Sequence, residues 1–337
     1  MVTHSSYSIK DLNTFGFDVL AHEVIEIHSV NDLHTLYEQQ LINENSRVLG
    51  GGSNILFTRD FEGQMLRNLI KGTTIISESD TKVEVCFGGG EIWHEAVLFC
   101  VNNGWGGIEN LSLIPGTVGA SPIQNIGAYG SEIKDTFKWL KAFNLKTGEI
   151  EIFERSKCEF GYRDSFFKRE GKNLYFIMEV CFELAKHPSV NIQYGDIQNV
   201  LRELNIHEPS IKDVSNAIVQ IRQSKLPNPK EIGNCGSFFK NPVITKEHFE
   251  LLRDKYPEIK SFPVSDTHVK VPAGWLIEAS GWKGKKIGNV GVHAKQALVL
   301  VHFGQGKGIE IKNLANSIVQ DILGKFQIQL EIEVNIW

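Results

Sequence analysis

No apolar run in this 337-residue chain approaches the roughly 20 residues that a membrane-spanning helix needs. The N-terminal MVTHSSYSIKDLN has no hydrophobic signal core, so neither a membrane protein nor an exported one is expected. Basic residues are not in excess: 35 Lys and Arg stand against 40 Asp and Glu, for a net charge of −5, and no basic stripe is present. That argues against nucleic acid or another polyanion as partner. The 5 cysteines, at 86, 100, 158, 181 and 235, are odd in number, widely spaced and without a CxxC. A disulfide framework is therefore not expected, and a reducing, cytoplasmic compartment is. The 11 histidines contain no HExxH. His94-Glu95 reads as a surface pair on a helix whose other face is apolar, so no metal is expected. Neither GxGxxG between a strand and a helix nor GxxxxGK[ST] occurs, which excludes the two commonest nucleotide fingerprints.

Charge is also missing locally. Leu111–Ser131, LSLIPGTVGASPIQNIGAYGS, holds no Asp, Glu, Lys or Arg, although these make up 22% of the chain. Glycines at 116, 119, 127 and 130 and prolines at 115 and 122 interrupt any helical or strand period. Such a bent, small-residue backbone can be a nest of amides for an anion or a glycine-rich connection between layers. A second stretch of the same kind, Leu49–Phe57 (LGGGSNILF), favours the nest. Triple glycine turns without strain at positive φ and lets a ligand touch main chain, and Asn54 can fix the turn. Two anion-competent loops point to one long cofactor carrying two phosphates.

The remaining pattern predicts about two domains, or three small ones, with ample core. Strands are expected at Val24–Ile27, Arg47–Leu49, Lys82–Phe87 and Asn173–Leu184, with a hairpin over Trp139–Phe153 turning at Lys146-Thr147-Gly148. Helices are expected at Val30–Glu44, Glu91–Asn103, Gly195–Leu204 and Ser210–Lys225, the last with a capping-box-like Ser210/Asp213 pair. Farther on come a Thr245-capped helix to Tyr256, a Pro272-started helix to Gly281, the strand Ala297–Phe303 and a helix over Glu310–Leu323. The last strand, Gln327–Trp337, alternates Ile328, Leu330, Ile332, Val334 and Ile336 with Gln329, Glu331, Glu333 and Asn335.

Two polar clusters could carry chemistry. In Gly161-Tyr162-Arg163-Asp164-Ser165, Arg163 could grip a carboxylate through two parallel bonds, or simply pair with Asp164 in a surface turn. Gly233–Pro242 sets Ser237 and Cys235 on a tight turn backed by Phe238 and Phe239. Here a proton donor at Ser237, a thiol nucleophile at Cys235 and an inert turn are all open. Glu331 and Glu333 read by default as a solvated edge.

Taken together, these stretches resemble the UDP-N-acetylenolpyruvoylglucosamine reductase family. The likeness runs through Asn13-Thr14-Phe15, Gly50-Gly51-Gly52-Ser53-Asn54, Ile114–Ala120, Tyr162–Ser165, Ser224–Pro227, Gly236–Pro242, Ala273–Glu278, His293–Leu298 and Leu330–Val334. The Tyr194 segment is similar to the subclass in which a tyrosine-bearing loop closes over the nucleotide. The resemblance implies an α+β chain: a vanillyl-alcohol-oxidase/PCMH-type FAD-binding fold of two α/β subdomains (1–71 and 72–211, with the terminal strand 326–337 returning to them) and a C-terminal α+β substrate-binding lid (212–325). It implies non-covalent FAD, NADPH as co-substrate, and UDP-N-acetylenolpyruvoylglucosamine reduced to UDP-N-acetylmuramate in peptidoglycan synthesis, by a cytoplasmic monomer.

Carried onto this chain, the resemblance makes Ser237 the proton donor and sets Arg163 and Glu333 around the substrate carboxylate. It assigns Gly50, Gly51, Gly52, Ser53, Asn54, Pro115, Gly116, Thr117, Gly119, Ala120, Ser121 and Gly127 to the cofactor. Tyr162, Tyr194, Lys225, Asn241 and Gln296 go to the UDP-sugar. A flavin-bearing nucleotide-sugar sensor and a flavin oxidase of the same fold are the rival readings.

Overall fold

A computed structural model describes residues 1–337. The chain forms two compact units: residues 1–7, 20–52 and 62–224 in one, residues 8–19, 53–61 and 225–337 in the other.

The first unit contains two large sheets and a two-stranded one, Gly127–Ala128 against Ser131–Glu132. Val2–Ser8, Leu20–Ile27, Phe61–Asn68 and Ser46–Leu49 lie side by side in that order, the last two parallel. Helix α1, Val30–Glu38, covers this sheet and buries Leu33 and Leu36. It starts at a capping box in which Ser29 and Asp32 satisfy each other's N–H groups. The spacing predicts a helix running to Glu44, but it stops at Glu38: Gln40 turns to φ 55° and Leu41 is left exposed. One more apolar position in register was not enough to extend a helix that had no core left to cover.

The second sheet orders Ile150–Glu154, Phe137–Asn144, Tyr175–Ala185, Lys82–Gly88 and Thr73–Glu78, all antiparallel. The expected hairpin is present, with Leu140 opposite Phe153 and Gly148 at φ 74° in its turn. Tyr175–Ala185 is buried on both faces as its composition predicts, Val180 and Cys181 alike at 0% exposure. Helix α2, Trp93–Asn102, packs Trp93, Val97, Cys100 and Val101 onto this sheet. Helices α3, Gly195–Glu203, and α4, Ile211–Lys225, bury Ile197, Leu201, Val214, Ile218 and Ile221 against each other. The Ser210/Asp213 pair caps α4 as its sequence predicts.

The second unit is built on Phe15, Phe17, Phe238, Phe239, Leu276, Ile318 and their neighbours. It holds two small antiparallel sheets and three helices: α5, Lys246–Lys255, α6, Ala273–Ala279, and α7, Gly308–Phe326. Thr245 caps α5 by accepting the His248 N–H at 3.2 Å. Helix α7 runs three residues past its expected end, burying Phe326, and closes where Gln327 takes φ 55°. The final segment is not the long strand that alternation predicts; only Asn335–Ile336 pairs as one, parallel to Ile55–Leu56. Its inward residues are nonetheless the expected ones, since Ile328, Leu330 and Val334 are buried. The reason is the partner: residues 331–333 bond to the irregular Phe238–Lys240 turn, one bridge at a time, instead of a ladder.

Candidate functional site

In the first unit the two glycine-rich stretches, far apart in sequence, meet main chain to main chain. A Cβ on Gly51 would stand 2.7 Å from Gly116 Cα, and one on Gly50 would stand 2.6 Å from Thr117 Oγ1 and 3.2 Å from Ala120 Cβ. Gly119 is as constrained, because its Cβ would fall 2.9 Å from the carbonyls of both Gly89 and Ile177. Gly52 and Gly116 take φ of 60° and 113°. Only glycine permits these approaches.

Not every amide of the stretch faces a ligand. The N–H groups of Val118, Gly119, Ala120 and Ser121 donate to Glu91, Gly89, Thr117 and Val118, and the Ser121 hydroxyl donates to Val118 as well. The Thr117 hydroxyl, beside Gly50, is buried and has no partner at all. A buried hydroxyl without a partner costs free energy, and a ligand oxygen or N–H at that point would recover it.

Arg163 lies in the same unit at φ 53°, a left-handed conformation that arginine rarely adopts. The Gly161–Asp164 turn is held by Asn125 Nδ2, which donates to the Gly161 carbonyl at 2.9 Å, and by the Ser165 hydroxyl, which donates to Ile123 at 2.7 Å. Arg163 Nη2 donates to the Gly127 carbonyl at 2.7 Å, and its Cζ lies 5.5 Å from the Tyr162 ring. Asp164, the other charged residue of the turn, pairs with Arg169. Gly127, which the resemblance gives to the cofactor, also holds Arg163 through its carbonyl.

Beside it stands a residue that sequence reasoning missed. Arg222 on α4 donates from Nε to the Leu113 carbonyl at 3.3 Å. Burial pushes its guanidinium below the usual range, the Tyr129 hydroxyl partly offsets that, and the Arg163 charge adds to it. Tyr129, itself at φ 50°, meets Tyr194 edge to face at 5.8 Å, and Tyr194 is 44% exposed at the start of α3. Arg222 lies next to an inward-facing stripe on a helix, and nothing in the local sequence separates it from a solvated cation.

His94 also departs from its surface-pair reading. Its Nδ1 accepts the Leu113 N–H at 3.0 Å.

In the second unit, Ser237 is exposed on a turn whose backbone is tied down on every side. Gly233 presses on Phe15, leaving 2.0 Å for any Cβ. Asn234 is buried, donates to Pro227 and Ile232, and accepts the Gly236 N–H at 3.0 Å, with Gly236 at φ 73°. Phe238 donates to Leu298 at 2.8 Å and receives the Glu333 N–H at 2.9 Å. Phe238 and Phe239 anchor the turn in the core, so the Ser237 hydroxyl is carried on a rigid shelf.

Two residues earlier, Cys235 is buried. Burial first, and then the nearby Glu333 charge, push its thiol well above the usual range. A thiol kept protonated in this way is a poor nucleophile. Glu333 is 9% exposed, not the solvated edge residue that alternation suggests, while Glu331 faces solvent and pairs with Lys240. Asn54 Nδ2 reaches the Glu333 carbonyl at 3.5 Å, and Asn335 donates twice to the Asn54 carbonyl at 3.1 Å.

Asn241 accepts the Ala273 N–H at 2.9 Å and so caps α6. Gln296 Oε1 lies 3.4 Å from the Leu298 N–H. Lys225 ends α4, half-buried. No three His, Cys, Asp or Glu side chains converge to hold a metal, and no helix is long and apolar enough to cross a membrane.

Two family models match: "UDP-N-acetylenolpyruvoylglucosamine reductase, C-terminal domain" over residues 228–337 and "FAD binding domain" over residues 23–154. The chain is 49% identical over 337 residues to the UDP-N-acetylenolpyruvoylglucosamine reductase of Flavobacterium johnsoniae, covering 100% of each. It is 47% identical over 330 residues to that of Burkholderia mallei, covering 97% of this chain and 95% of the other. Among solved structures, the reductase of Thermus caldophilus superposes with a TM-score of 0.67 at 20% identity, covering 100% and 98% of the two chains, which bears out the fold.

Proposed function

From the premise that the chain belongs to the UDP-N-acetylenolpyruvoylglucosamine reductase family, we propose that Ser237, Arg163 and Glu333 carry its catalysis. The protein is an FAD-dependent oxidoreductase of peptidoglycan synthesis, with UDP-N-acetylenolpyruvoylglucosamine as substrate and NADPH as co-substrate. The residues present fit FAD: the two uncharged glycine loops pack main chain on main chain, and the buried Thr117 hydroxyl beside Gly50 has no partner. Gly50, Gly51, Gly52, Ser53, Asn54, Pro115, Gly116, Thr117, Gly119, Ala120, Ser121 and Gly127 would hold it. Hydride relay from NADPH to the enolpyruvyl group is the chemistry that bound FAD supplies.

This chain's own residues supply the rest. Hydride arrival at C3 of the enolpyruvyl group leaves negative charge on C2 and its carboxylate. Arg163, preset by its left-handed backbone and the Gly127 carbonyl, would stabilise that charge as it develops. The Ser237 hydroxyl would deliver the proton to C2; so basic a carbon needs geometry from its acid more than acidity. Glu333 would orient the carboxylate's cationic partner or share a proton with the carboxylate. Tyr162, Tyr194, Lys225, Asn241 and Gln296 would bind the UDP-sugar, Tyr194 from the loop that closes over the nucleotide. Residues 212–325 would act as substrate lid, and residues 1–71, 72–211 and 326–337 as the FAD-binding part, in a cytoplasmic monomer.

The single observation that supports the acid assignment is the contrast at one turn: an exposed hydroxyl at 237 beside a buried, protonated thiol at 235. The test is anaerobic. NADPH should bleach a yellow, acid-releasable chromophore, and enolpyruvyl-UDP-N-acetylglucosamine should restore its colour. A protein that stays colourless after reconstitution with FAD, or is reoxidised only by oxygen, would refute the reading.

A further inference from the structure

The start of α2 grips the uncharged stretch through four hydrogen bonds. Trp93 Nε1 donates to the Leu111 carbonyl at 2.9 Å, the Trp93 N–H to Gly116 at 3.1 Å, and the Val118 N–H to Glu91 at 2.8 Å. The fourth differs in kind, because Leu113 N–H donates to a titratable ring nitrogen, Nδ1 of His94, at 3.0 Å. That nitrogen accepts only while it carries no proton. Leu113 itself sits at φ 58°, where a leucine stays only if its surroundings hold it. Its carbonyl takes the Arg222 Nε–H at 3.3 Å. One strained residue is thus clamped by a neutral imidazole on its N–H and a guanidinium on its C=O. It lies just ahead of Pro115 and Gly116, where the second glycine loop packs.

We infer that His94 is a positioning residue for the FAD-binding stretch: its unprotonated ring fixes Leu113, and protonation frees that segment and loosens FAD. The inference rests on the flavin-reductase reading above. The charged groups facing His94 are Glu95 on its own helix and Arg222 on α4. Burial pushes the imidazole below its ordinary range; Glu95 opposes this and Arg222 adds to it. The sign follows. Near neutral pH the ring is an acceptor, and acidification through that lowered value both removes the acceptor and sets a second positive charge beside Arg222.

The holoenzyme tests this through flavin fluorescence, which rises as FAD leaves, recorded across pH with circular dichroism of the same samples. Wild type should release FAD in the acid range while still folded. His94→Asn sets an oxygen near the Nδ1 position without titrating, so its FAD retention should be flat over that range. His94→Phe leaves the Leu113 N–H unpaired and should hold FAD about tenfold more weakly at neutral pH. An acid-release profile in His94→Asn matching wild type overturns the inference, as does wild type holding FAD unchanged while folded. Should His94→Phe fail to fold, the asparagine comparison decides alone. If wild type takes up no FAD at any pH, the flavin reading falls and takes the inference with it.

Discussion

The two compact units build their candidate surfaces by opposite means. The first works with main chain: Gly50, Gly51, Gly116 and Gly119 are there for what they lack, and the Thr117 hydroxyl waits unpaired among them. The second works with side chains displayed from a braced turn, Ser237 exposed and Glu333 buried on a segment that bonds to Phe238 and Lys240. A flat cofactor carrying a pyrophosphate needs close approach and many weak donors, which absent side chains provide. Proton delivery needs one atom held still, which a rigid turn provides. The first surface should therefore fail through crowding and the second through loss of a single group.

The largest effect should come from crowding. In Gly51→Ala the new Cβ falls 2.7 Å from the Gly116 backbone, which is itself pinned by the Trp93 N–H. Overpacking of that kind costs about 1–3 kcal/mol, and here the strain lands where FAD must seat. The purified variant should carry almost no flavin per chain after gel filtration while keeping its circular dichroism spectrum. A fully yellow Gly51→Ala protein would break the contrast between the units.

Next is the loss of one group. Ser237→Ala should accept electrons from NADPH as fast as wild type, yet turn over the enolpyruvyl substrate roughly 10²–10⁴ times more slowly. Because Ser237 is exposed, its melting temperature should barely move. Wild-type turnover would remove Ser237 from the mechanism.

Cys235, two residues away, sharpens the point. Its thiol is held protonated by burial and by Glu333, so Cys235→Ala should keep wild-type turnover, and iodoacetamide should label Cys235 only in denaturant. Cys158, pushed up to about 12 by burial, and Cys100, raised for the same reason, behave alike. Below the ordinary thiol value, about 8.5, folded and unfolded chains both keep these protons. Above it the unfolded chain gives them up first, so stability should fall as pH rises from there. A denaturation midpoint that stays flat or climbs from pH 8 to 10 would contradict the sign.

The same division governs what could be read beforehand. The glycine surface was legible because its signal is local: no charge from 111 to 131 and triple glycine at 50–52 are visible without any partner. Periodicity also found α2, α4 and the central strand Tyr175–Ala185, each backed by a contiguous apolar stripe. Arg222 and His94 were not legible, because what distinguishes them is a bond to Leu113, and no spacing rule links position 94 or 222 to 113. The expected range of α1 passes its real end at Glu38 for a related reason: Leu41 fits the period, but exposure is decided by tertiary structure. Ser237 and Glu333 needed the family resemblance, since a serine on a turn and a glutamate on an alternating edge are common.

Glu331 and Glu333 give the finest test of that last point, being alike in type, in alternation and in the chain segment that carries them. The Glu331 side chain is 67% exposed and pairs with Lys240, a surface ion pair of the kind worth between 0 and about 1 kcal/mol. Glu331→Gln should therefore shift stability by less than about 1 kcal/mol, more at low salt than at high, and leave turnover unchanged. Glu333→Gln, by contrast, alters a carboxylate that is 9% exposed and whose charge reaches Cys235. It should cut turnover far more than it shifts the melting temperature. Equal effects from the two substitutions, in either measurement, would mean that the burial separating these two carboxylates carries no functional information.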